Sequence, residues 1–249
     1  MREIDRHAWT NRWRHWHPAE KALPAGGSLI LSLLLPPTAA PLVLAGMTLA
    51  TVLGARVPVR ALLGLLAAPA GFLLLDLPFL AVSVDFTQGF DPRVSPEGLQ
   101  LALATALRAL AAMSCLAFLV LTTPLIEWIA PLRRVGIPAN VIELMLLTYR
   151  LNFVFAERAL TGGRAQAARL GYSRPDRSIR SLGLLAGNLF QRALEQARRL
   201  ETGLLARAYH GELRVLHPTR PLSRTRLALG IAWIGLVGAT GSLLARVGS

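Results

Sequence analysis

LPAGGSLILSLLLPPTAAPLVLAGMTLATVL, residues 23–53, runs for 31 residues without a charged side chain. About 20 apolar residues suffice for one helix to cross the hydrocarbon layer, so the stretch is too long for a single span. Pro36-Pro37 divides it. Two consecutive prolines donate no backbone hydrogen bond and break a helix. The stretch therefore reads as a tight hairpin with short arms, Leu23–Leu35 and Thr38–Leu53, and the prolines at its outer turn. Arg56 and Arg60 follow it, as the excess of positive charge on the cytoplasmic side requires.

The same pattern continues outward. Ala61–Val82 is a span interrupted only by Asp76. Ser83–Gly98 is Pro/Gly-rich and carries Asp85, Asp91 and Glu97 against Arg93, which places it outside. Leu99–Thr123 returns with Arg108 inside it, and Arg133-Arg134 stop the chain on the inner side. Thr122-Thr123-Pro124 should perturb this helix near its cytoplasmic end. Leu227–Ala245 is a final charge-free span of nineteen residues. At the other end, Trp9, Trp13 and Trp16 fall at i, i+4 and i+7, which stacks them on one face of a helix over residues 4–17. With Arg2, Arg6, Arg12, Arg14 and Lys21, that segment suits the headgroup zone. The expected architecture is an all-α integral membrane protein of about five transmembrane helices. It comprises an interfacial segment (1–22), a bundle of about four spans (23–132), a cytoplasmic region of long amphipathic helices (133–226) and a last span (227–249).

Composition agrees. The chain is 53% hydrophobic and 16% charged, too apolar for an ordinary soluble domain, with a formal net charge of +13. In a soluble protein that charge would suggest nucleic acid. Here it flanks apolar spans, so no nucleic acid is expected and the lipid bilayer is the partner. One cysteine, Cys115, excludes an intramolecular disulfide. The first 22 residues are polar and aromatic and show no cleavable leader, so insertion is expected to use the first true span.

Between Arg133 and Arg226 lie seventeen arginines, no lysine and six carboxylates. Ile137–Leu216 reads as helical without being cleanly transmembrane. Glu143, Arg150 and Glu157 share one face, and Leu144, Leu147, Leu151 and Val154 another. The alternative is a further span with its charges buried in the bundle, which is costly. A second amphipathic run starts near Ser178, with Leu182, Leu185, Leu189, Ala193, Leu200 and Leu204 on its apolar side. Two Ala-Arg steps, Ala168-Arg169-Leu170 and Ala206-Arg207-Ala208, stand where the helices end. Gly171 and Gly211 follow them in the manner of C-terminal glycines. An arginine there complements the negative end of the helix dipole and offers a planar fork of donors.

Chemistry is otherwise scarce. No phosphate-binding loop, H-E-x-x-H, C-x-x-C or G-x-S-x-G pattern occurs. His15-Trp16-His17 points its imidazoles apart on a helix, with no cysteine or carboxylate close in sequence. No catalytic residue, metal ligand or bound cofactor is assigned to this chain. Asp76 and Arg108 lie in the outer halves of consecutive spans and are expected to pair, since each is costly alone in lipid.

Together these residues resemble the transmembrane T component of energy-coupling factor (ECF) transporters, and in particular its cobalt-transporter branch, CbiQ. The matching stretches are Asp5–Arg12, His17-Pro18-Ala19-Glu20-Lys21, Leu121-Thr122-Thr123-Pro124 and Leu147-Thr148-Tyr149-Arg150. Ala165–Tyr172, Asn188-Leu189-Phe190 with Arg192, and Ala206–Leu213 complete the set. The resemblance implies a non-catalytic ABC importer subunit in a bacterial inner membrane. Two partner ATPases (CbiO-like) would carry ATP and Mg, and a membrane S component (CbiM-like) would hold cobalt, with nickel as the alternative metal. A small CbiN-like accessory subunit is a further partner. Arg169 and Arg207, with Ala168, Leu170, Ala206 and Ala208, would dock the ATPases; Ala208 stands where the family commonly has glycine. The alternative is a conventional ABC importer permease that forms its own pore.

Overall fold

The structure is a computed structural model and describes residues 2–85, 91–94, 96–208 and 220–247. The helices are α1 (Arg2–Thr10), α2 (Pro18–Leu34), α3 (Ala40–Leu49), α4 (Val59–Ala81), α5 (Pro96–Thr122), α6 (Ile129–Arg134), α7 (Ala139–Ala168), α8 (Pro175–Leu205) and α9 (Arg224–Val247). A 3-10 turn, Pro37–Ala39, precedes α3, a π turn, Ala50–Gly54, extends it, and a second 3-10 turn, Leu125–Trp128, follows α5. Strands β1 (Val82–Asp85) and β2 (Asp91–Val94) form an antiparallel hairpin, with Val82 opposite Val94, between α4 and α5.

The chain divides into two units: residues 1–128 with 218–249, and residues 129–217. In the first, α5 is the centre, with α1, α2, α3 and α4 against it, while α9 lies on α2. Its core gathers Ala25, Val43, Met47, Ala111, Cys115, Phe118 and Val237. Small residues let the helices approach. A side chain on Gly46 would run into the Trp233 ring, so α3 and α9 meet backbone to indole. The outer face of α4 leaves Leu63, Phe72, Leu74, Leu75 and Phe79 exposed, as a lipid-facing surface requires.

Among the described residues, five helical segments are long and apolar enough to span a membrane: Pro37–Gly54, Val59–Phe79, Gly98–Thr122, Ala139–Ala168 and Arg224–Leu244. Four coincide with expected spans. The hairpin's first arm is not among them, because α2 has only 17 residues, about 26 Å of rise. The fifth is α7, the least apolar, with a mean hydropathy of 1.2 against 1.5–2.0 for the others. It belongs to the second unit and carries Glu143, Arg150, Glu157 and Arg158.

The N-terminal segment departs from expectation. Helix α1 stops at Thr10 rather than running to residue 17. Asn11 ends it: its Nδ2 donates to the Ala8 carbonyl at 2.7 Å and to the Thr122 carbonyl of α5 at 3.1 Å. The tryptophans consequently turn inward. Trp13 stacks on Trp16 with centroids 4.4 Å apart and meets Phe118 edge-on at 5.8 Å. Trp9 instead receives the Arg14 guanidinium on its ring.

Asp76 and Arg108 are not brought together. Asp76 lies five residues before the end of α4 and Arg108 twelve residues into α5. At ~1.5 Å per residue their depths differ by about 10 Å. Arg108 instead donates Nη2 to the Leu35 carbonyl at 2.7 Å. Pro36 and Pro37 follow that carbonyl and have no N–H to offer, so the arginine holds the turn between α2 and α3.

Candidate functional site

The two Ala-Arg steps stand at the ends of the two long helices of the second unit, and both ends are built alike. Helix α7 closes at Ala168 with Arg169 as its cap. The chain then turns left-handed at Leu170, φ 57°, and the Gly171 N–H returns to the Gln166 carbonyl at 2.9 Å. This is the hydrogen-bonded reversal that commonly ends a helix, with leucine where glycine is usual. The glycine serves another purpose. A Cβ on Gly171 would lie 2.7 Å from Ser181 Oγ and 2.9 Å from the Gln166 carbonyl oxygen. The expectation that Gly171 itself supplies the left-handed residue is thus corrected by one position: Gly171 is needed for close approach.

That approach fixes the turn to the start of α8. Ser181 Oγ donates to the Gly171 carbonyl at 2.9 Å, and Gln166 Nε2 donates to the Ser181 carbonyl at 3.0 Å. Tyr172 Oη donates to Gln166 Oε1 at 2.7 Å. Arg169 is left exposed on a backbone held from both sides. It borders a cleft of about 530 Å³ between α7 and α8, with Arg158, Gln166, Asn188 and Arg192 also on its walls. Arg192, which reads from sequence as an ordinary helix-face residue, therefore shares the cleft of Arg169.

Helix α8 ends at Leu205, and Ala206, Arg207 and Ala208 continue it as a turn. Ala208 is left-handed at φ 55°, matching Leu170, and Arg207 is exposed. Arg207 borders a shallow depression of about 230 Å³ with Gln196 and Arg199. Tyr209, His210 and Gly211 lie outside the described residues. An alanine in the left-handed region costs roughly 1 kcal/mol that a glycine does not. Ala208→Gly should accordingly raise the stability of the chain by about 1 kcal/mol. Chemical denaturation in detergent measures this, and a lower midpoint would mean that the alanine methyl makes a contact worth more than the strain.

The remaining surface of this unit suits partners. Leu185, Leu189, Ala193, Leu200 and Leu204 form a half-buried stripe on α8, close to the expected apolar side; Leu182 is exposed. Ile179, Leu184, Phe190, Leu194 and Leu205 are exposed as well. Helix α8 therefore carries an extensive exposed apolar surface. Among the described residues of the whole chain, no three His, Cys, Asp or Glu side chains gather as a metal site. His17 caps α2, its Nδ1 accepting the Ala19 N–H at 3.1 Å.

A polar junction at the base of the first unit was not legible as such in the sequence. Lys21, 1% exposed, donates Nζ to the Thr122 carbonyl at 2.8 Å. Burial pushes its ammonium down to about 8, with Glu127 opposing. Glu20 Oε1 accepts the Ser223 N–H at 2.6 Å, and Glu20 Oε2 lies 3.3 Å from Arg226 Nη1. Arg220 Nη2 sits 2.9 Å from Glu127 Oε1, close enough for an ion pair though without the alignment of a hydrogen bond. The only signal for this cluster is its spacing, with Glu20-Lys21 before the first apolar stretch and Glu127 before the arginine-rich region.

Residues 10–217 match the family described as cobalt transport protein, CbiQ. The chain is 43% identical over 229 residues to the cobalt transport protein CbiQ of Rhodobacter capsulatus, covering 92% of both. It is 30% identical to the CbiQ protein of Salmonella typhimurium over 85% of this chain and 99% of that one. A putative fused cobalt transport protein CbiMQ of Methanocorpusculum labreanum is 34% identical over 65% of this chain and 28% of its own length.

Proposed function

This chain belongs to the CbiQ family of cobalt transport proteins, a membrane component of a cobalt transporter, and from that premise we propose that it is the T component of an ECF-type importer. In this reading it sits in the bacterial inner membrane with its arginine-rich unit in the cytoplasm. Arg169 and Arg207 seat two ATP-hydrolysing subunits. The exposed apolar faces of α7 and α8 receive a membrane subunit that binds the metal. Closure of the ATPase pair on ATP then moves these helices, and through them the metal-binding subunit.

The observation that carries the reading is the repetition. Two long helices end in the same three-residue form: alanine, exposed arginine, then a left-handed residue that is not glycine. One such arginine answers the dipole of its own helix. Two, built alike and exposed on one unit, suit a paired partner. The fused relative joins, by its name, a CbiM portion to a CbiQ portion, which supports a CbiM-like metal-binding partner. The small CbiN-like subunit is retained as an additional partner.

Co-expression of the tagged chain with a candidate ATPase and a hydrophobic metal-binding subunit tests this. Both should co-purify through size exclusion, and vesicles should take up cobalt only when all are present. Cobalt uptake by this chain and the ATPase alone would identify a pore-forming permease instead.

A further inference from the structure

At the end of the first unit where α2 and α9 begin and α3 and α5 finish lies a cavity of about 290 Å³. Its walls include Trp13, Trp16, Met47, Leu229 and Trp233, with Gly46 and Gly230 between them. No feature of metal transport described above uses it. We propose that this cavity holds one acyl chain of an anionic phospholipid, whose phosphate is met by Arg226 at the mouth.

Away from Glu20, Lys21 and Arg226 the walls are apolar. Trp233 Nε1 is already spent on Ser28 Oγ at 2.9 Å, so it offers nothing inward. Cavities of ~150 Å³ with apolar walls stay dry and accept small hydrocarbons, and this one is about twice that size. Leu229 is 70% exposed while also lining the cavity, so the space reaches the surface along α9. Helix α9 is one of the membrane-spanning helices, so the molecules that meet that edge are lipids.

The mouth selects the headgroup. Arg226 lies with its guanidinium 4.6 Å above the centre of the Trp16 ring. Its Nη1 is 3.3 Å from Glu20 Oε2, longer than a tight charge-assisted contact at ~2.8 Å. Of five N–H donors in a flat fork, most remain to match the oxygens of a phosphate. Lys21 also borders the cavity, and with Arg220 and Arg226 it stands against the carboxylates of Glu20 and Glu127, so the junction carries a net positive charge. Stacked tryptophans beside a cation form the arrangement that anchors proteins at the headgroup level. Here it faces a cavity rather than the open bilayer.

Brominated lipids test this directly, because bromine on an acyl chain quenches a tryptophan that it touches. The full chain in a Trp9→Phe, Trp128→Phe background keeps Trp13, Trp16 and Trp233, all on the cavity wall. In phosphatidylcholine nanodiscs, bromo-phosphatidylglycerol should quench saturably, with a half-point about five-fold below that of bromo-phosphatidylcholine, the weight of one basic group toward anionic lipid. Inorganic phosphate should not compete, since it lacks the chain. Arg226→Gln should abolish the headgroup preference. Ala50→Phe, which fills the cavity without touching a charge, should remove the saturable component for both lipids. Equal half-points for the two lipids in the parent chain would overturn the proposal. So would saturable quenching that survives Ala50→Phe, or displacement by inorganic phosphate. If Arg226→Gln does not fold, the parent comparison and Ala50→Phe decide the matter alone.

Discussion

Arg169→Ala and Arg207→Ala are each expected to stop cobalt uptake while leaving the chain inserted and folded. Truncating one partner of a charge-assisted contact that becomes buried on docking costs about 2–5 kcal/mol, roughly 30- to 5,000-fold in affinity for the ATPase. The double variant should lose both ATPase subunits during purification. Folding should be spared because both side chains are exposed, and the hydrogen bonds that hold the first turn run through Gln166, Gly171, Tyr172 and Ser181. Arg180→Ala is the matched control, an exposed arginine one turn into the start of α8. Arg192 serves less well, since it borders the cleft of Arg169. Retention of both ATPases and normal uptake by the double variant would return the two arginines to the role of helix caps.

Glu20→Ala should be the most destabilising single change in the first unit, at about 3 kcal/mol. The carboxylate is fully enclosed and holds the start of α9 at two points, the Ser223 N–H just before the helix and Arg226 in its first turn. Removing it leaves a half-buried backbone donor unsatisfied and Lys21 with one fewer neighbouring anion. Glu20→Gln keeps an acceptor for Ser223 and should lose about half as much. Thermal unfolding in detergent ranks the three proteins. Equal midpoints for Glu20→Ala and the parent would show that the junction contributes nothing.

Four of the five spans were legible because their signal is a scarcity of charge, while α7, with Glu143, Arg150 and Glu157, was read as a helix outside the membrane. Long runs with at most one charge, bounded by basic residues, fix where a helix enters lipid, and Pro36-Pro37 marked the turn between α2 and α3. The ends of helices were harder. Asn11 reads as an unremarkable polar residue, yet its amide stops α1, because the carbonyl it reaches belongs to Thr122, 111 positions later. Gly171 advertised a left-handed turn and Leu170 took it, because the close approach of Ser181 leaves no room for a Cβ at 171. Lys21 looked like one of several cations for the headgroups and proved buried, a fact that depends on three other segments folding around it. The two Ala-Arg helix ends were marked by a local pattern, but the cleft that Arg158 and Arg192 share with Arg169 needed the crossing of α7 and α8.

The ion pair between Glu127 and Arg220 joins the last residues before the arginine-rich unit to the first after it. Ninety-two residues thus leave and return through one fastened gate. Within the first unit, a pull on either end of that length meets the Glu127–Arg220 clasp before it reaches α9. The load falls on a charge pair and on Glu20 behind it, before it can begin to peel α9 from its neighbours.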